Sequence, residues 1–254
     1  MEAEKSIEFH HVSFRLPDGK TLLSDLTLEV HRGETLVLLG RSGSGKTTTM
    51  KLINRLIDPT EGEVKVEGQS TFAWDPIELR RRIGYVIQEI GLFPHLTVEE
   101  NIGVVPRLLG WPPERSKSRA RDLLVLVGLD PDRFANRSPR ELSGGQRQRV
   151  GVARAIAADP PLILLDEPFG ALDPITRRDI QREFRALQQR LKKTMVFVTH
   201  DVREAFLLAS RVGLIKEGRM ILVGPPEDLL KSANPEARAF ADCLNDTPSI
   251  GNSS

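Results

Sequence analysis

Leu36-Val37-Leu38-Leu39-Gly40-Arg41-Ser42-Gly43-Ser44-Gly45-Lys46-Thr47 decides the fold of this 254-residue chain. Four consecutive apolar residues ending in glycine suit a buried parallel strand, covered on both faces. The next eight positions fit G-x-x-x-x-G-K-[ST], in which a curled backbone turns its N–H groups toward phosphate oxygens. Side chains would obstruct that approach, so glycine recurs at Gly40, Gly43 and Gly45. Residues 46–56 then read as a helix whose amino-terminal dipole faces the anion. Lys46 can reach β- and γ-phosphates, and the Thr47 hydroxyl, with Thr48 beside it, can meet Mg²⁺.

Later apolar runs repeat the pattern. Leu162-Ile163-Leu164-Leu165, Met195-Val196-Phe197-Val198 and Val212-Gly213-Leu214-Ile215 read as core strands. Between the first two, Ile180, Phe184, Leu187 and Leu191 recur at helical spacing. Strands alternating with helices predict a three-layer α/β fold around a parallel sheet. Asp166, at the tip of its strand, is placed to hold Mg²⁺ directly or through water. Glu167, one residue on, can orient a water attacking the γ-phosphate. His200 closes another strand on the same sheet edge, within reach of that phosphate. Gln88, after a strand over residues 83–87, offers an amide to a metal or to the attacking water. Leu142-Ser143-Gly144-Gly145-Gln146 is a second phosphate-seeking device, a hydroxyl and glycines at a helix start. Two such devices with one complete nucleotide site point to copies that share their nucleotides.

The amino-terminal third alternates with period two in Ile7-Glu8-Phe9, Val12-Ser13-Phe14 and Leu26-Thr27-Leu28-Glu29-Val30, the mark of half-exposed antiparallel strands. Pro17-Asp18-Gly19 is a turn between them. Residues 89–158 carry few strand signals, a helical stripe at Ala120, Leu123, Leu124 and Val127, and joints at prolines 106, 112, 113, 131 and 139. They are expected to form a helical subdomain inserted in the core, which takes residues 1–88 and 159–245, with a flexible tail at 246–254. A net charge of +1 argues against nucleic acid as partner, which needs a concentrated basic face; Arg80-Arg81-Arg82 reads as a solvated helix end. No apolar stretch approaches the roughly 20 residues that span a bilayer, and the charged start, Met1 to Lys5, does not read as a signal peptide. The single cysteine, Cys243, excludes an internal disulfide.

Taken together, these motifs resemble those of the ATP-binding subunit of an ATP-binding cassette (ABC) transporter, over residues 6–245. Residues 40–47 match the Walker A loop of such subunits and residues 162–167 the Walker B strand with its catalytic glutamate. Gln88 matches the Q-loop, Leu142 to Gln146 the family signature, Ala171-Leu172-Asp173 the D-loop, and His200 the switch histidine. The resemblance implies a P-loop NTPase core with an antiparallel β subdomain and a helical insert. It also implies a head-to-tail dimer with ATP at the seam, in which Ser143, Gly144, Gly145, Gln146 and Asp173 complete the partner's site. One departure stands out: where the family stacks adenine on an aromatic residue, this chain has Leu16, expected to offer an aliphatic surface instead.

Residues 85–88 with 91–95, and 50–56, are similar to those of glycine betaine, choline and carnitine importers. That likeness implies a permease partner, an external solute-binding protein acting through it, and a peripheral place on the cytoplasmic face of the membrane. Phe93 and Leu96 are the apolar residues expected to meet the permease. An importer for another solute is the alternative. A DNA- or ribosome-acting ABC ATPase fits less well, since Thr47 and Ser143 lie too close for a coiled-coil insert and only one cassette is present. A non-hydrolysing cassette is disfavoured because Glu167 and His200 are both retained.

Overall fold

The computed structural model of the chain describes residues 4–89 and 91–245; the tail expected at 246–254 lies outside them. β1 (Lys5–Arg15) and β2 (Thr21–His31) form a hairpin in which Ile7 faces Val30 and Phe9 faces Leu28. β3 (Thr35–Leu39) is buried along its whole length. α1 (Lys46–Ile53) leaves the glycine loop and stops short of Leu56, because Arg55 takes a left-handed backbone (φ 50°) that breaks the helix. β4 (Glu61–Val66) and β5 (Gln69–Ser70) come next, then α2 (Pro76–Arg81) and β6 (Ile83–Val86). The arginine run does end α2, but it is not merely solvated. Arg80 donates to the carbonyls of Asn54 and Arg55, and Arg82 lies over the Trp74 ring.

Between β6 and the next strand the described residues form helices: α3 (Val98–Ile102), α4 (Val104–Leu108), α5 (Pro113–Leu126), α6 (Pro131–Phe134) and α7 (Gly144–Ala155). The prolines at 113 and 131 open helices, where a missing N–H costs nothing, whereas Pro106 lies buried inside the short α4 rather than at a joint. α7 packs on α3 and α5 and also runs beside β6, so it ties the helical segment to the sheet. β7 (Leu162–Asp166), α8 (Pro174–Leu191), β8 (Thr194–Thr199), α9 (Val202–Leu208), β9 (Arg211–Lys216), β10 (Arg219–Gly224), α10 (Glu227–Lys231) and α11 (Pro235–Asn245) complete the chain.

Two sheets result. One is antiparallel, in the order β2-β1-β4-β5; the other runs β10-β9-β3-β8-β7-β6, parallel except for β10. The parallel strands feed alternate residues into two cores. Leu36, Leu38, Leu162, Leu164, Val196 and Val198 pack with α1 and the antiparallel sheet. Val37, Leu39, Ile163, Leu165 and Phe197 pack with α7, α8 and α9 on the other face. This is why those strands read as unbroken apolar runs, and it brings the ends of β3, β7 and β8 to one edge.

Candidate functional site

Gly40 and Gly45 are required by close approach. A Cβ at Gly40 would lie 2.4 Å from the Ile215 carbonyl oxygen, and one at Gly45 2.7 Å from the Leu23 side chain. Gly45 also has φ 110°, a left-handed conformation, immediately before α1. Lys46 curls back under this loop, donating from Nζ to the carbonyl oxygens of Gly40 and Arg41, both at 2.8 Å. Its burial lowers the ammonium pKa, a shift only partly offset by the nearby Glu167 and Asp166 carboxylates.

Thr47 Oγ1 donates to Asp166 Oδ1 at 3.0 Å across the gap between α1 and the tip of β7. Asp166 is buried; desolvation raises its pKa, opposed by the Thr47 hydrogen bond. A hydroxyl and a carboxylate this close form a hard-oxygen pair that suits Mg²⁺, which takes few protein ligands beside phosphate oxygens.

Glu167 leaves β7 with φ 43°, in the left-handed region. Its N–H donates to the Val198 carbonyl on β8 (3.0 Å), which fixes the turn. Two residues on, Phe169 is fully buried, with its ring 5.5 Å from that of Phe197 and 5.8 Å from that of Phe184. The strained residue is thus clamped from both sides. Its carboxylate meets His200 Nδ1 at 3.3 Å through Oε1 and accepts from Gln88 Nε2 at 3.4 Å through Oε2.

A cavity of about 610 Å³ unites these groups. It is lined by Gly43, Ser44, Gly45, Lys46, Thr47 and Thr48 of the loop and helix, by Arg41 and Ser42, and by Gln88, Glu167 and His200. Leu22 and Phe240, which the sequence reading did not single out, line it too. Leu16 does not. β1 ends at Arg15, and Leu16 is taken into a tight turn, donating its N–H to Lys20 and accepting from Gly19. The aliphatic side chain that does line this cavity is Leu22, at the start of β2. Alternation along β2 marks Leu22 as the off-core neighbour of buried Leu23. Nothing short of the fold brings Phe240 of α11 to this cavity.

Ser143, Gly144, Gly145, Gln146 and Asp173 are absent from the cavity lining. Ser143 caps α7, its Oγ accepting from the Gln146 N–H while the Gln146 side chain accepts from the Ser143 N–H. Among the described residues its hydroxyl proton is donated to no partner. Gly145 is dictated by packing, since a Cβ there would sit 2.9 Å from Thr176 Cγ2 and 3.0 Å from Ile180 Cδ1 of α8. Asp173 caps α8 by accepting from the N–H groups of Ile175 and Thr176.

The family model for the ABC transporter matches residues 23–170. The glycine betaine/carnitine/choline transport ATP-binding protein OpuCA of Bacillus subtilis is 53% identical over 89% of this chain and 59% of its own length. The glycine betaine uptake system ATP-binding protein YehX of Escherichia coli is 47% identical over 92% of this chain and 76% of its own. Among solved structures, the dimeric ATP-binding cassette MJ0796 bound to ADP and Pi superposes with TM-score 0.77 at 36% identity, covering 87% of this chain and 98% of that one. The chain spans about 60% of the length of several of the curated relatives it matches.

Proposed function

This chain belongs to the ABC transporter family, and on that premise we propose that it is the ATP-hydrolysing subunit of an importer. Two copies would work head to tail beneath a membrane permease, on the cytoplasmic face of the membrane. One observation carries the reading. Lys46, Thr47, Gln88, Glu167 and His200 converge on a single cavity while Ser143, Gly144 and Gly145 lie outside it, which leaves one flank of the bound phosphates to a second copy. Membership of the family and the dimeric MJ0796 cassette support that arrangement.

When ATP enters, Lys46 exchanges the Gly40 and Arg41 carbonyls for β- and γ-phosphate oxygens, so part of its desolvation is offset by a stronger partner. Mg²⁺ held by Thr47 and Asp166 would neutralise phosphate charge as the bond to the γ-phosphate breaks. In the resting site both Glu167 oxygens are engaged, by His200 and by Gln88. Once His200 turns to the γ-phosphate, Oε1 is free to accept a hydrogen bond from water and orient it for in-line attack. Loss of the γ-phosphate removes the contacts that favour the closed pair, which then reopens.

Glycine betaine, choline or carnitine is the proposed cargo, supported by the names of OpuCA and YehX. The permease would dock on an exposed groove lined by Phe93, His95, Leu96, Val104, Arg107 and Leu108, close in sequence to Gln88. No helix among the described residues is long and apolar enough to cross a membrane. A periplasmic or surface solute-binding protein would deliver the cargo to the permease.

Purified wild-type protein should hydrolyse ATP. Glu167→Gln should bind ATP with unchanged affinity and turn over about 100-fold more slowly, through loss of the water-orienting carboxylate. Wild-type turnover in that variant would refute the assignment.

A further inference from the structure

Arg41 stands between two cavities. It lines the nucleotide cavity with Lys46, Glu167 and His200, and it lines a smaller neighbouring pocket with Lys216 and Glu236. Its Nε donates to Glu236 Oε1 at 2.5 Å, while its two terminal nitrogens make no hydrogen bond among the described residues. Exposure is lopsided in this pair, with 70% of the Arg41 side chain accessible against 8% of Glu236. Glu236 also has a second cation, Lys216 Nζ at 3.5 Å. It belongs to the first turn of α11, whose Ala237 is fully buried. One turn further along that helix, Phe240 reaches the rim of the nucleotide cavity. α11 is therefore held against the phosphate loop by a contact whose loop-side partner is exposed and whose helix-side partner is buried.

A triphosphate in the loop changes the competition for that guanidinium. Its terminal oxygens carry more charge than one carboxylate and suit the two-pronged geometry of arginine. At the same residue, Lys46 lets go of the Arg41 carbonyl in order to meet phosphate. If Arg41 leaves, Glu236 retains Lys216, so the buried carboxylate is not stranded without a cation.

We propose that the Arg41 side chain is a γ-phosphate ligand stored on Glu236, and that its transfer to a bound triphosphate, but not to a diphosphate, loosens α11 from the phosphate loop. The inference rests on the ATP-binding reading above. Arg41 then positions the terminal phosphate, and α11 reports the nucleotide state to whatever lies beyond it.

Cys243, the single cysteine of the chain, is exposed on α11 and accepts a spin label without further mutation. In the Glu167→Gln background, which keeps ATP intact, saturating ATP should narrow the label's spectrum and saturating ADP should leave it unchanged. Binding of each nucleotide is followed independently with fluorescent analogues. Arg41→Ala should weaken ATP about tenfold more than ADP, the worth of a lost charge-assisted hydrogen bond, and should give the narrow spectrum with or without nucleotide. Glu236→Gln, which removes the competing charge but keeps the helix, should raise ATP affinity. A spectrum unmoved by ATP that is demonstrably bound, or an Arg41→Ala variant that loses ATP and ADP equally, overturns the transfer while leaving the functional reading intact. Failure of both nucleotides to bind wild-type protein overturns that reading and the transfer with it.

Discussion

Lys46 is a charge kept in reserve. It is buried against the carbonyls of Gly40 and Arg41, and its ammonium pKa lies below the ordinary lysine range because desolvation outweighs the pull of Glu167 and Asp166. Deprotonation removes the charge that attracts phosphate. ATP affinity should therefore begin to fall at a lower pH than an exposed lysine would allow, with affinity retained below the depressed pKa and lost above it. Binding titrations between neutral and alkaline pH check this, and the Lys46→Ala variant should be weak throughout and lack that slope. An unbroken affinity up to the ordinary lysine range would contradict the burial argument. Glu167 shows a second kind of reserve. A non-glycine residue at φ 43° costs on the order of 1 kcal/mol, and here that strain is held by the Val198 hydrogen bond and by the Phe169 anchor.

Strands buried on both faces were legible as elements because their apolar runs are continuous, and β3, β7, β8 and β9 stand where the runs of residues 36–39, 162–165, 195–198 and 212–215 predict them. β4 was not legible. Glu61–Val66 buries only Val64 and Val66, and it becomes a strand by pairing with β1, where Val66 faces Ile7. The phosphate loop could be read because backbone curvature writes glycine at fixed spacing. The Leu22 and Phe240 contacts could not be, since they depend on where β2 and α11 come to rest. The short α3 hides another such feature. Asn101 is fully buried, its Oδ1 accepting from the Phe93 N–H and its Nδ2 facing the carbonyls of Phe93, Leu96 and Thr97. One side chain thereby shapes the segment that presents Phe93 and Leu96 to the proposed permease. Asn101→Leu keeps the branched outline, is bulkier, and strands those backbone groups, and it should destabilise the fold by about 2–4 kcal/mol. Urea denaturation would measure this. ATP affinity should be unchanged, because the phosphate loop is elsewhere, whereas stimulation of turnover by the permease should be lost.

On the scale of the whole molecule, the parallel sheet brings the phosphate loop to the edge where β3, β7 and β8 end, and Ser143 at the start of α7 does not line that cavity. Ile175, next to the Asp173 cap of α8, is 76% exposed, an apolar group suited to a seam between copies. If the signature serves only the partner's nucleotide, two inactive variants must be able to repair one another. Lys46→Ala removes the phosphate contact but leaves Ser143 intact; Ser143→Arg blocks the signature but leaves Lys46 intact. Each alone forms symmetric pairs whose two sites are both broken. In a mixed pair the defects fall together on one site, and the other site has wild-type residues on both sides. Random pairing makes half of the dimers mixed, each with one working site, so an equimolar mixture should recover about one quarter of wild-type turnover if the sites act independently. Strict interdependence of the two sites would lower that figure, and adding Glu167→Gln to the Ser143→Arg copy should abolish the recovery, because the intact site takes its Glu167 from that copy. A site completed within one chain leaves the mixture as inactive as its components, and steady-state ATPase assays on the three preparations separate the two cases.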